Sequence, residues 1–373
     1  VGGAQPTDDN TPRLDLTIWD LSQLPALVKL SENNLAMSDD FGGSLTAVWP
    51  KPNVLVWSGG SQFFGWFGGP VALGAPMAAE AVAWWPGFWG GNSGGRLIAF
   101  DVADAANPSL KSVVAIATNS WNFSKPIIAE GLVYLSHQTT ETVTLDVPPP
   151  ADPTDPTIDP SKTNATTIGW GGGTNPPPVI FITRSYLDVI DYADAANPVV
   201  RKPVNIPGAL QGASHQGGVV YTLGMHFNAQ GGTDGTEWLD ASAYDGVSAF
   251  LIDSHSLTNW PHPIAFTGPD IFIGGVNSLE RWQLTNEGLF AKLSTTDSKE
   301  PVYSLRLFGD LAVLTTSARI LLYNATDRAA LKLIGQSDVN CNAGADLQNA
   351  DGAVARGLWL PENDYGVQII PVQ

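Results

Sequence analysis

Three observations predict an all-β fold, a β-propeller of four-stranded blades: a composition rich in turn formers and aromatics, short apolar runs paired around polar turns, and repetition of that unit along most of the chain. Of 373 residues, 39 are Gly, 28 Pro and 13 Trp, and only 14 % are charged. That is a turn-rich chain with enough apolar side chain for a core. One domain spanning residues 1–373 is expected, since large all-β domains reach this length.

The repeat is clearest at residues 96–108 (RLIAFDVADAANP) and 185–198 (SYLDVIDYADAANP), which share D-x-A-D-A-A-N-P. In each, an apolar run ends in Asp (Asp101, Asp191), a polar turn closes at Asn-Pro, and a second apolar run follows. This reads as strand, turn, strand, with Pro108 and Pro198 suited to a turn ahead of an outer strand.

Along the chain, 14–30 gives the first copy, 247–257, 279–293 and 319–334 give weaker ones, and 366–372 gives the first half only; with the clear pair that makes seven. Before six of them lies another pair of apolar runs, at 46–57, 126–135, a segment ending at 217–223, 264–273, 304–314 and 352–360. Each unit is therefore four short strands. Setting aside insertions at about 59–95, 138–180 and 227–246 brings the spacing near the roughly 40–50 residues of propeller repeats. The blade count is six or seven, and the seven copies favour seven. A β-sandwich is the alternative, but it does not account for the recurring turn.

The run YLDVIDYADAANP, and less closely RLIAFDVADAANP, resembles the LVIVD-type repeat of secreted bacterial propellers distantly related to WD-repeat proteins. The resemblance implies that the apolar run ending in Asp is a third strand, that the Asn-Pro turn leads to the fourth, and that the protein is exported. It brings no catalytic residue with it.

Export also fits a chain that starts at Val1 without Met, as after processing, and that carries a lone Cys341. A secreted, periplasmic or cell-surface setting is expected. The most membrane-like window, 70–89, contains Glu80 and three prolines, so no transmembrane segment is expected. With 18 basic against 36 acidic residues the net charge is −18, which excludes nucleic acid and disfavours anionic lipid as partners.

The two ends of the repeat are unequal. Residues 14–30 supply third- and fourth-strand features without an inner pair, while 353–372 supply an inner pair and a third strand without a fourth. Either the ends complete one blade of a six-bladed ring, or there are seven blades and outside strands complete the first. The second arrangement would require a protein partner or oligomer, because an unpaired edge invites association.

Aromatic clustering is the most unusual local feature. The first insertion holds Phe63, Phe64, Trp66, Phe67, Trp84, Trp85, Phe88 and Trp89 among glycines and prolines. Such side chains either make a hot-spot surface for a protein partner, or a platform for sugar rings, or a minicore of their own. The favoured expectation is an exported, non-enzymatic binding or scaffold propeller that contacts a macromolecule through this insertion. The alternative is a propeller that binds or cleaves polysaccharide, with Trp stacking and a carboxylate pair.

Other chemistry-bearing residues are sparse. His137 and His215 lie in Ser-His-Gln triplets and, with His226, could ligate a metal ion, but the spacing preorganises no metal site and the favoured reading is hydrogen-bonded residues at strand ends. Asp346 and Asp351 could hold a structural calcium ion or simply form turns. Gly91, Ser93 and Gly95 match G-x-S-x-G, but a Gly loop running into a strand is not the strand-to-helix elbow that motif needs. No repeated Ala/Trp docking motif supports a quinone-dependent dehydrogenase.

Overall fold

The structure, a computed structural model, describes residues 2–5, 13–20, 28–36, 46–59, 95–117, 120, 123–144, 179–214, 216–226, 233–257, 263–327, 330–338, 358–361 and 367–370. The described residues are strands and turns without a helix. A three-stranded sheet comes first: β1 (Gly2–Gln5), β2 (Arg13–Asp20) and β3 (Val28–Ala36). Five four-stranded antiparallel blades follow in a propeller arrangement. Blade I is β4 (Thr46–Lys51), β5 (Val54–Gly59), β6 (Gly95–Asp101) and β7 (Ser109–Ile116). Blade II is β8 (Ile127–Ala129), β9 (Leu132–Thr144), β10 (Val179–Asp191) and a split outer strand, β11 (Val199–Val200) plus β12 (Val204–Ile206), both paired to β10.

Blade III is β13 (Ala209–Ala213), β14 (Val219–Met225), β15 (Glu237–Tyr244) and β16 (Ala249–Leu257). Blade IV is β17 (Ile264–Thr267), β18 (Asp270–Gly274), β19 (Ser278–Leu284) and β20 (Phe290–Asp297). Blade V is β21 (Val302–Phe308), β22 (Leu311–Thr316), β23 (Arg319–Asn324) and β24 (Lys332–Asp338), followed by a hairpin of β25 (Leu358–Pro361) and β26 (Val367–Ile370).

The core lies between the sheets, so middle strands are apolar on both faces. Leu55, Trp57, Ile98 and Phe100 of blade I pack with Leu16 of the N-terminal sheet, while Val54, Val56, Leu97 and Ala99 on the other face meet Val133, Leu135, Ile190 and Tyr192 of blade II. The pattern continues: Tyr134, Leu187 and Val189 against Leu210 and Val220, Tyr221 and Leu239 against Ile271 and Trp282, Phe272 and Leu279 against Ala312 and Leu314. First strands of successive blades adjoin (β4 with β8, β8 with β13, β13 with β17, β17 with β21), as inner strands around an axis must.

The D-x-A-D-A-A-N-P repeat is two successive side-chain turns. In blade I, Asp101 Oδ1 accepts from Ala103 N (3.0 Å), Asp104 Oδ1 accepts from Ala106 N (3.0 Å), and Asn107 Nδ2 donates to Asp104 Oδ2 (2.8 Å). Blade II repeats this with Asp191, Asp194 and Asn197. Asp245 in blade III and Asn324 in blade V make the first of these bonds, to Val247 N and Thr326 N.

A second repeat is visible only in three dimensions. The outer strand carries a bulge opposite the third strand, skipping Leu30, Lys111, Ile252, Leu293 and Ile334 in β3, β7, β16, β20 and β24. The next side chain is thereby re-aimed. Ser31 and Ser112 each donate to the same carbonyl of the following blade's motif, Ala105 and Ala195, at 2.8 and 2.7 Å, and Asp253 accepts from Phe290 N of blade IV at 2.7 Å. The N-terminal sheet thus contacts blade I as one blade contacts the next.

Three readings of the sequence change in register. Residues 247–257 do not form a third strand, turn and fourth strand; they hold one outer strand, β16, and the third strand is β15, within the stretch read as the insertion 227–246. The turn between them is Asp245-Gly246, with Gly246 at φ 95°. In the stretch 138–180, β9 continues to Thr144 and β10 begins at Val179, a long two-stranded extension of blade II. At the N-terminus β1 adds a strand beside β2 that the sequence reading did not include.

Candidate functional site

The extended β9–β10 pair brings an ordered set of polar side chains to one edge of blade II. His137 on β9 faces Tyr186 on β10 in the register, and its Nδ1 lies 2.5 Å from Asp188 Oδ2. Both side chains are buried, at 4 % and 1 % exposure. The imidazole stacks on Tyr186 (centroids 5.5 Å apart, 18° between planes) and meets Phe123 at 5.9 Å. Burial pushes the Asp188 carboxyl up while the bond to His137 opposes that, and Asp188 Oδ1 has no hydrogen-bond partner among the described residues.

Beyond the ring, the Tyr186 hydroxyl donates to Glu141 Oε1 (2.8 Å) and Arg184 Nε donates to Glu141 Oε2 (2.6 Å). The hydroxyl bond, then the guanidinium bond, hold the Glu141 carboxyl below its ordinary range, and the same contact raises the Tyr186 phenol. Ala117, Ser120, His137, Thr139, Glu141, Tyr186 and Pro203 line an open cleft of about 440 Å³. Ala117 sits there at φ 43°, unusual for a residue with a Cβ. Chemically the cleft presents the Glu141 carboxylate, the Tyr186 ring and the edge of the buried, aspartate-bound His137 imidazole, while Arg184 backs Glu141 from outside the lining.

Blade III repeats the arrangement. His226 Nε2 lies 2.9 Å from Asp240 Oδ2, Asp240 is fully buried, and Ser254 Oγ donates to its Oδ1 at 2.5 Å. The His226 ring stacks on Trp238 at 4.8 Å and 4°. Tyr186 and Trp238, like Asp188 and Asp240, hold matching places on the third strands, in the tripeptides Tyr-Leu-Asp and Trp-Leu-Asp. That shared aromatic-Leu-Asp was the available sequence signal for the two aspartates, and the reading of the sequence passed over it. His255 on β16, to which the sequence assigns no role, packs on Trp282 of blade IV at 4.1 Å, and burial lowers its pKa.

Of the candidates read from sequence, His137 and His226 are described, and each is engaged by an aspartate of its own blade. Phe63, Phe64, Trp66, Phe67, Trp84, Trp85, Phe88, Trp89, His215, Asp346 and Asp351 lie outside the described residues, as does Ser93. Among the described residues, no group of three His, Cys, Asp or Glu is placed to hold a metal ion. Gly95, the last glycine of the G-x-S-x-G match, opens β6, and a Cβ there would lie 2.5 Å from the Phe123 ring, so packing accounts for it. No helix among the described residues is long and apolar enough to cross a membrane.

Together the sheets define an all-β propeller. No protein-family model and no curated protein matches the chain.

Proposed function

We propose that this is an exported binding propeller that contacts a macromolecular partner, foremost a protein, at the edge where second strands pass to third strands. One observation carries the reading. The three longest interruptions between strands of the same blade, 60–94, 145–178 and 226–236, all fall between the second and third strands of blades I, II and III, and the cleft at His137, Glu141 and Tyr186 lies beside the same edge. Loops that leave one edge of adjacent blades form one composite surface, and long loops on a rigid scaffold are where binding concentrates. The sequence of segment 60–94, which lies outside the described residues, holds Phe63, Phe64, Trp66, Phe67, Trp84, Trp85, Phe88 and Trp89, the side-chain types that anchor interfaces.

The likeness to LVIVD-type secreted propellers supports export, together with the lone Cys341, which suits an oxidising compartment. The ring has seven blades in this reading, with β1–β3 as the first and β25–β26 as the last. The bulge in β3 and the Ser31 bond to Ala105 support counting the N-terminal sheet as a blade. Electron-microscopy averages viewed down the axis count the blades directly.

The functional test compares the wild type with the Trp66→Ala, Trp84→Ala, Trp85→Ala, Trp89→Ala combination in affinity capture from the envelope fraction, with a glycan array in parallel. Loss of a specific protein partner with unchanged thermal melting supports the reading. Selective glycan binding by the wild type would replace it with the polysaccharide alternative, and loss of folding would assign the aromatics to a minicore.

A further inference from the structure

The outer edges of the sheets are not equivalent. Each outer strand leaves one row of backbone N–H and C=O groups without a strand neighbour, a template that natural sheets blunt with lysine, arginine or proline. Here β3 carries Lys29, β7 Lys111, β20 Lys292 and β24 Lys332, and the gap between β11 and β12 holds Arg201, Lys202 and Pro203. Strand β16 (AFLIDSHSL) carries none of the three.

Its side chains differ in the same direction. Phe250, Leu251 and Ile252 are exposed in succession, at 62 %, 56 % and 38 %, with Val247 just before them at 79 %. Asp253 does not guard the edge, because the bulge turns its carboxylate toward blade IV, where it accepts from Phe290 N. His255 is likewise packed on Trp282.

The surroundings are acidic. Asp245, at the turn into β16, is exposed and held below its ordinary pKa by the N–H groups of Ser248 and Val247. Glu287, in the next blade's turn beside the exposed Leu289, is held low by Thr285, and Gly288 of that turn approaches Ile252. Of the cations, Arg201 lies near Gly246, and Lys292, which acts on His255, is bonded to Glu280; the chain as a whole has a charge of −18.

We infer that the free edge of β16 is a second docking site, one that adds an extended, apolar segment of another protein, flanked by lysine or arginine, as a fifth strand of blade III. Backbone pairing would supply affinity, Phe250 and Leu251, on opposite faces of β16, would each meet a side chain on their own face of the added strand, and the carboxylates at Asp245 and Glu287 would select basic flanks. A second copy of this chain is the poorer occupant, since it brings the same acidic surroundings to the edge.

Fluorescence anisotropy tests this with a labelled peptide of alternating Val and Thr between lysine pairs. Three controls accompany it: the same peptide with glutamates for lysines, a form N-methylated on alternate residues, and a protein variant carrying Leu333→Lys on β24. The expected result is binding of the lysine peptide that falls roughly tenfold or more with the glutamate form, with N-methylation and with Leu251→Lys, while Leu333→Lys leaves it unchanged. Circular dichroism confirms that both exposed-site variants fold. Absence of binding, or binding indifferent to N-methylation or to Leu251→Lys, overturns the proposal. A dimer seen by sedimentation that Leu251→Lys dissolves would also overturn it, in favour of self-pairing. None of these readouts involves the aromatic segment 60–94, so the outcome is separate from the function proposed above.

Discussion

The imidazole of His137 and the carboxylate of Asp188 lie 2.5 Å apart on the paired strands β9 and β10, both removed from water. The imidazole stacks on Tyr186 and lies tilted against Phe123, and Asp188 Oδ1 finds no donor among the described residues. The bond to His137 is therefore what offsets the burial of that carboxylate.

Replacing His137 by Ala is expected to destabilise the protein by about 3–5 kcal/mol near neutral pH, the range for stranding one partner of a buried pair. The deficit has a defined pH dependence. Burial raises the Asp188 carboxyl above its unfolded value, so its contribution to stability is fully present below that value and lost as pH rises through the folded one. Urea denaturation of His137→Ala and wild type near pH 4 and pH 7 should show the smaller gap at the lower pH.

Ser136 joins two blades. Its hydroxyl accepts from the buried Leu210 N of blade III at 2.9 Å, and its own N–H donates to Ser124 Oγ at 2.8 Å. Ser136→Ala leaves the Leu210 N–H without an acceptor and should cost about 1–3 kcal/mol in chemical denaturation. Ser136→Thr, which keeps the hydroxyl, should cost less.

Gly212 on β13 marks a close approach between blades III and IV, where a Cβ would lie 2.4 Å from the Phe266 ring. Gly212→Ala is expected to destabilise by about 1–3 kcal/mol through overpacking, with the thermal midpoint as the measure. Pairing it with Phe266→Leu should recover part of the loss, and strict additivity would count against a direct clash.

The turn aspartates set a separate acid response. Bonds from the Asn107 side chain and Ala106 N, and from the Asn197 side chain and Ala196 N, hold the Asp104 and Asp194 carboxyls below their ordinary range. A depressed folded pKa adds stability above the unfolded value, and that stability is lost as pH falls through the folded one. The Asp104→Asn, Asp194→Asn double variant keeps a turn acceptor but not the charge, so its melting temperature should vary less than the wild type's between about pH 5 and pH 2.

The sequence by itself determined the strand–turn–strand unit, because that unit is held by bonds spanning two or three residues. Asp101, Asp104 and Asn107 close their turn from within the motif, and Asp191, Asp194 and Asn197 do the same, which is why the repeat could be read as text. The propeller followed from its recurrence. Strand β15 escaped that reading because Asp240 and Ser242 make it look polar, whereas in the folded blade both are buried and Asp240 is paired by His226 and Ser254. Only the tertiary structure decided which aspartate each histidine meets. The bond from His137 to Asp188 spans 51 residues, and it depends on the register of β9 with β10 and on the packing of blade I through Phe123. The same holds for the bulge that sends Ser31 and Ser112 into the next blade, and for the outer strand left without a basic guard. Register and blade-to-blade packing arise from contacts distant in the chain, and local propensity fixes neither.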